Sequence, residues 1–88
     1  MNTVSEVEEY LRDMRFSVPV ERWQVEFGED HMGYPAAWVW ATLEPKHLDG
    51  NTRHEVREGV RAALMRHRDL GIEWVYVRFR AVGEEEGS

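Results

Sequence analysis

The stretch Ala36–Leu43, AAWVWATL, places two tryptophans one residue apart among small and apolar neighbours. Residues two apart on a β-strand share a face, so Trp38, Trp40 and Thr42 point to one side of the strand predicted here. The other side receives the remaining side chains, Ala37, Val39, Ala41 and Leu43. Both sides are largely apolar, and we therefore expect both faces of this strand to be covered.

Alternating patterns on either side of this stretch predict two further strands. Arg22–Phe27 alternates large apolar with polar residues, and Glu73–Val82 alternates aliphatic or small residues with Trp, Tyr and Arg. Residues 28–35, GEDHMGYP, supply the Gly, Asp and Pro typical of turns, so the first two strands should form a hairpin with a long loop. Pro45 ends the second strand.

Residues Val4–Phe16 have apolar side chains at helical spacing and predict a first helix. Thr3 and Ser5 each begin a capping-box sequence, and either residue is a candidate N-cap. Acidic residues in the first turn lie where the helix dipole favours negative charge.

A second helix is predicted from Thr52 to His67, after a polar connection that offers Asp49, Asn51 or Thr52 as its cap. Gly59 lies in this helix at some cost in helix propensity. The absence of a side chain there predicts a close approach of the helix to the sheet.

The element order α-β-β-α-β predicts one two-layer α+β domain over residues 1–82, followed by a disordered acidic tail over residues 83–88. The second helix carries the chain back across the sheet, so strand 3 should run in the direction of strand 2 through a right-handed crossover. We expect a three-stranded antiparallel sheet of order 2-1-3 with both helices on one face. This order is preferred to 1-2-3 because the crossover then spans the whole sheet.

The face without helices then carries a concentration of aromatic and arginine side chains. We predict a partner interface there, formed by Glu26, Trp38, Trp40, Thr42, Trp74, Tyr76, Arg78 and Arg80. Exposed apolar patches beyond a few hundred Å² usually mark interfaces, and aromatic residues with arginine are enriched in binding hot spots. Alternatively, cross-strand aromatic pairs with stacked arginines stabilise an exposed sheet that has no partner.

Order 2-1-3 also makes a specific prediction for Glu26. Its strand would be central, with Trp38 and Trp40 on one side and Arg78 or Arg80 on the other. We therefore expect Glu26 to pair with an arginine, because an unpaired carboxylate enclosed by a partner would be costly.

Other chemistries have weaker support. An oxygen and imidazole metal site could be assembled from Glu29, Asp30, His31, His47, His54 and Glu58, although no spacing fixes its geometry. A basic stripe on the second helix consists of Arg53, Arg57, Arg61 and Arg68. We expect it to pair with the acidic residues of the first helix, with RNA contact as the alternative. The chain shows neither a catalytic motif nor a glycine-rich phosphate loop, so we expect a non-enzymatic protein without a cofactor.

Composition favours a small intracellular domain. The chain has 88 residues, a net charge of −6 and no cysteine, which excludes disulfides and thiolate metal sites. Its N-terminus lacks the basic and apolar regions of a signal peptide, so we expect a cytoplasmic protein. A domain this small gains stability by self-association, and its negative charge opposes contact with nucleic acid.

The block FGEDHMGYPAAWVW, residues 27–40, and the later WVYVRFR, residues 74–80, resemble small uncharacterised bacterial proteins with an FGED-x-x-G-x-PA-x-W-x-W pattern. The resemblance covers roughly half the chain and implies no activity. The α-β-β-α-β order is also similar to that of the cytoplasmic domain of cation-efflux transporters, which dimerises and binds metal. The sequence as a whole predicts an interaction module that homodimerises or docks a partner, with a metal-binding regulatory domain or an RNA-contacting domain as alternatives.

Overall fold

A computed structural model describes residues 3–83, and the predicted tail beyond Gly83 lies outside this range. The elements are α1 (Val4–Arg12), β1 (Arg22–Glu29), β2 (Pro35–Leu43), α2 (Gly50–Met65) and β3 (Trp74–Ala81). Short 3-10 turns at Pro45–His47 and Arg68–Leu70 flank α2. All the predicted helices and strands are present in the predicted order.

Side-chain caps begin both helices. Thr3 forms the predicted capping box with Glu6, and the Asp49 carboxylate accepts the backbone N–H of Thr52 at the start of α2. Helix α1 ends at Arg12, earlier than predicted, because Phe16 leaves the helix and packs against Trp23, with ring centroids 6.0 Å apart.

The sheet has the order β1-β2-β3, in which β1 and β2 are antiparallel and β2 and β3 are parallel. The predicted antiparallel sheet of order 2-1-3 is therefore wrong, although β3 does run in the direction of β2. The far side of β1 is closed to a third strand, because the Glu8 carboxylate of α1 accepts the N–H of Val25 there, at 3.0 Å. Strand β3 instead pairs with β2, and α2 makes the parallel crossover between them.

The hydrophobic core lies between the helices and one face of the sheet. Its residues are Val7, Leu11, Trp23, Val25, Val39, Ala41, Val56, Val60, Leu64, Val75 and Val77. The predicted inward-facing residues of the three strands are thus largely confirmed. Phe27 is the exception, because it remains 37% exposed.

Gly59 has a different role from the predicted one. A Cβ atom added at Gly59 would lie 2.8 Å from Cε1 of Phe16. The missing side chain therefore makes room for an aromatic ring from the α1–β1 connection, and not for the sheet. No helix within residues 3–83 is long and apolar enough to span a membrane.

Candidate interaction face

We use the term open face for the side of the sheet opposite the helices. Strand pairing arranges its residues in four cross-strand rows. In order along β2, the rows are Gly28, Ala36 and Trp74; Glu26, Trp38 and Tyr76; Gln24, Trp40 and Arg78; and Arg22, Thr42 and Arg80. Strand β3 thus has an aromatic half and an arginine half, which is a division that the sequence already shows.

An aromatic stack lies near the centre of the open face. The rings of Trp38 and Tyr76 are 5.4 Å apart between centroids and inclined by only 17°. Gly28 on β1 lies beside the indole, and a Cβ atom at that position would lie 3.4 Å from Cζ3 of Trp38, in ordinary van der Waals contact. The stack is half-buried, and both rings are held in place by neighbouring strands.

The hydroxyl of Tyr76 fixes the hairpin loop to the open face. It donates to Oδ2 of Asp30 at 3.2 Å, while Oδ1 of the same carboxylate accepts the N–H groups of Met32 and Tyr34 at 2.9 and 3.0 Å. The hydrogen bond from the Tyr34 N–H contributes most to lowering the pKa of Asp30. Desolvation, followed by the hydrogen bond to Asp30, raises the pKa of Tyr76. The loop and β3 are therefore coupled through a single carboxylate.

Arg80 covers the opposite end of the open face. Its Nη1 donates to Oε1 of Gln24 at 2.9 Å, and its guanidinium lies 5.2 Å from the ring centroid of Trp40. Thr42, the β2 residue that pairs with Arg80, is only 3% exposed. Of the predicted interface residues, Thr42 is therefore covered by the chain's own side chains.

The remaining predicted interface residues are accessible to different degrees. Trp38 and Trp40 are half-buried, whereas Glu26, Trp74 and Arg78 are exposed, with Trp74 at 42%. The side chains of Glu26 and Arg78 form no hydrogen bond or ion pair within residues 3–83. The pairing of Glu26 with an arginine is not found, because β1 is an edge strand and both arginines lie on the opposite edge strand.

The apolar surface of the open face continues around the edge of β1. A shallow groove of about 640 Å³ there is lined by Val4, Val25, Glu26, Phe27, Trp38 and Trp40. Val4 and Phe27 are each 37% exposed. The accessible apolar surface therefore extends beyond the three strands onto the start of α1.

Both sheet edges carry a side chain that occupies a backbone group. Glu8 accepts from the Val25 N–H at the edge of β1, and Nε of Arg61 donates to the Val75 carbonyl at the edge of β3, at 3.1 Å. Occupied edge groups oppose strand addition by another chain. The open face is consequently the better surface for association.

The basic stripe of α2 lies beside β3, and its predicted pairing with α1 is wrong. The Arg57 guanidinium lies 5.4 Å from the ring centroid of Phe79, and that of Arg61 lies 4.4 Å from the ring centroid of Trp74. Arg61 also pairs with Glu58 on its own helix at 3.1 Å. These arginines thus cover aromatic side chains of β3, which explains how a stripe of like charges is tolerated.

The residues proposed for a metal site are not brought together. In the part of the chain that the structure describes, no group of three His, Asp or Glu residues could hold a metal ion. Asp30 uses both carboxylate oxygens to bind the hairpin loop and Tyr76.

Sequence reasoning missed the contacts that Asp30 and Gln24 make at the open face. Asp30 had a usable signal, because an aspartate within a Gly- and Pro-containing loop commonly accepts backbone N–H groups. Gln24 was assigned to the correct face, but its role depends on Arg80, which lies 56 positions further along the chain. No local pattern could connect those two residues.

Comparison with known proteins gives no relative from which a role could be transferred. No protein-family model matches the chain, and no curated protein or solved structure matches it significantly. The functional argument therefore depends on the geometry of the open face.

Proposed function

We propose that the protein is a small cytoplasmic, non-enzymatic interaction module that homodimerises or docks a partner protein through the open face. The observation that carries this proposal is the ordered, partly exposed aromatic cluster of Trp38, Trp40, Trp74 and Tyr76. Buried aromatic anchors supply most of the binding energy in protein interfaces.

The cluster is held in one arrangement before any partner binds. Tyr76 is fixed by Trp38 and Asp30, and Arg80 is fixed by Gln24 and Trp40. Side chains that are already ordered lose little conformational entropy on association, so more of the contact energy is retained as affinity. This pre-organisation favours a binding surface with a defined shape.

Unpaired charges at the margins of the cluster support recognition of a protein surface. Glu26 and Arg78 lie on opposite edge strands and are both exposed. A face with both signs of charge around aromatic residues suits a protein partner better than RNA, because Glu26 and the net charge of −6 repel phosphates. The metal-binding alternative has less support, since Asp30 is already occupied.

Site-specific photo-crosslinking in living cells tests the proposal. Benzoylphenylalanine replaces Trp74 on the open face, and a matched sample carries it in place of His54, which is exposed on α2. We expect protein adducts, either to the chain itself or to another protein, from position 74 only. Absence of an adduct at position 74, or equal adducts at both positions, would contradict the proposal.

A further inference from the structure

We propose that the partner is a second copy of this chain, packed with its open face against the open face of the first. The two copies are related by a two-fold axis that lies between the sheets, perpendicular to the strands, at the level between Trp38 and Trp40. This inference rests on the proposed function and specifies its partner. It follows from the order in which aromatic and charged residues occur along the three strands of the open face.

Strand β3 is complementary to its own reversed copy. Its open-face residues read Trp74, Tyr76, Arg78 and Arg80. This axis reverses the second copy, so Arg78 lies over Tyr76 of the second copy. Arg80 lies opposite Trp74 of the second copy and keeps its contacts with Gln24 and Trp40 of its own chain. Guanidinium groups over aromatic faces attract, and more strongly once water is excluded. Arg78 is available for this contact because its side chain is exposed and has no ion pair or hydrogen bond within residues 3–83.

The other two strands are also compatible with this axis. Trp38 lies opposite Trp40 of the second copy, which brings the two largest apolar side chains of β2 together. Glu26 lies opposite Gln24 of the second copy, so the unpaired carboxylate faces an amide. Arg22 lies opposite Gly28, next to Glu26 of the second copy. Opposite positions therefore carry no like charges.

A two-fold axis along the strands would give a poorer match. It would place β1 over β3 of the second copy in the same row, which brings Arg22 over Arg80. Juxtaposed like charges are unfavourable in an interface. The crosswise axis is consequently the one that the residue pattern supports.

The size of the face limits the expected affinity. Three strands about 4.8 Å apart, each with four open-face residues, cover about 14 Å by 23 Å. This area, about 320 Å² per copy, is well below the roughly 800 Å² per partner of a standard protein interface. We therefore expect a reversible dimer with a dissociation constant in the micromolar range.

Sedimentation equilibrium of the full chain tests the contact made by Arg78. We expect Arg78→Glu to weaken dimerisation at least tenfold, because a carboxylate would then face Tyr76 of the second copy. Arg53→Glu is the control, since it makes the same charge change on the exposed surface of α2. Equal effects of the two variants, or a wild-type chain that stays monomeric up to millimolar concentration, would overturn the inference.

The axis itself is tested by spin-label distances at the two ends of β2. The chain contains no cysteine, so Met32→Cys and Lys46→Cys each introduce a single labelling site at an exposed position. Mixed dimers should give a 32-to-46 distance shorter than either the 32-to-32 or the 46-to-46 distance. The reverse order would overturn the crosswise axis.

These experiments separate the two proposals. Adducts to a different protein from position 74, together with a monomeric chain, would contradict self-association and still support an interaction module. Absence of adducts at position 74 would contradict the module itself.

Discussion

At the residue scale, Tyr76 holds the open face in one shape because two parts of the chain fix its side chain. The ring stacks on Trp38, and the hydroxyl binds the Asp30 carboxylate in the hairpin loop. Asp30 also accepts two N–H groups of its own loop. One carboxylate therefore determines both the shape of the loop and the position of the ring that we assign to the interface.

We expect Asp30→Asn to lower the unfolding temperature at pH 7, because an amide replaces a carboxylate that accepts three hydrogen bonds. The pKa of Asp30 is lower in the folded state than its ordinary value of 3.8. Its contribution to stability is therefore fully present above the unfolded-state pKa and is lost as pH falls through the folded-state pKa. The difference between variant and wild type should shrink under strongly acidic conditions.

Thermal unfolding between pH 7 and pH 2, monitored by circular dichroism, measures the effect. Glu29→Gln is the control, because it removes a neighbouring exposed carboxylate. The pKa of Tyr76 is raised above 10.0, so the contribution of this phenol is complete below that value and is lost as pH rises through its folded-state pKa. A difference between Asp30→Asn and wild type that stays constant down to pH 2 would contradict the role given to this carboxylate.

At the element scale, the connection between α1 and β1 depends on a close contact with α2. Phe16 occupies the space beside Gly59 and also packs against Trp23. The N–H and hydroxyl of Ser17 both donate to the Glu55 carboxylate, which holds the same connection to α2. The two helices are thus joined through this segment.

We expect Gly59→Ala to destabilise the protein, because overlap of the added methyl group with the Phe16 ring should cost about 1–3 kcal/mol. The gain of up to about 1 kcal/mol that alanine brings to a helix interior offsets part of this cost. Gly50→Ala, with open space around it in the first turn of α2, is the matched control and should not destabilise. The urea unfolding midpoints of the two variants and the wild-type chain measure the effect. A Gly59→Ala variant that is more stable than wild type would contradict this packing.

Local patterns predicted which residues of each element face the core, but not which strands are neighbours. The alternation in Arg22–Glu29 and Trp74–Ala81 shows the two faces of each strand. It carries no information on pairing, because β3 presents the same faces in either strand order. The Glu8 contact that occupies the edge of β1 joins residues 17 positions apart, so no local pattern shows it.

The residues of the open face could therefore be predicted, but the contacts among them could not. Trp38, Trp40 and Trp74 were assigned to the open face from the period of two alone. The coverage of Thr42 by Arg80 and the lack of an arginine beside Glu26 follow from the observed strand order. Contacts across strands require the topology to be known first.

At the scale of the whole molecule, the sheet separates two apolar surfaces with different roles. Trp23 lies on the helix side and is 7% exposed, whereas Trp38 and Trp40 lie on the open face and are half-buried. We assign the first surface to folding and propose the second for association. Substitutions on the two sides should therefore have opposite consequences.

The most direct test compares Trp38→Thr/Trp40→Thr with Trp23→Ala by circular dichroism and sedimentation equilibrium. The double variant keeps residues with high strand propensity and should remain folded but monomeric, with a lowered unfolding temperature because the stack with Tyr76 is lost. Trp23→Ala should lose about 3–5 kcal/mol of folding stability, because it leaves a cavity in the core. An unfolded double variant beside a stable Trp23→Ala protein, or a double variant that still associates, would contradict the assignment of the open face.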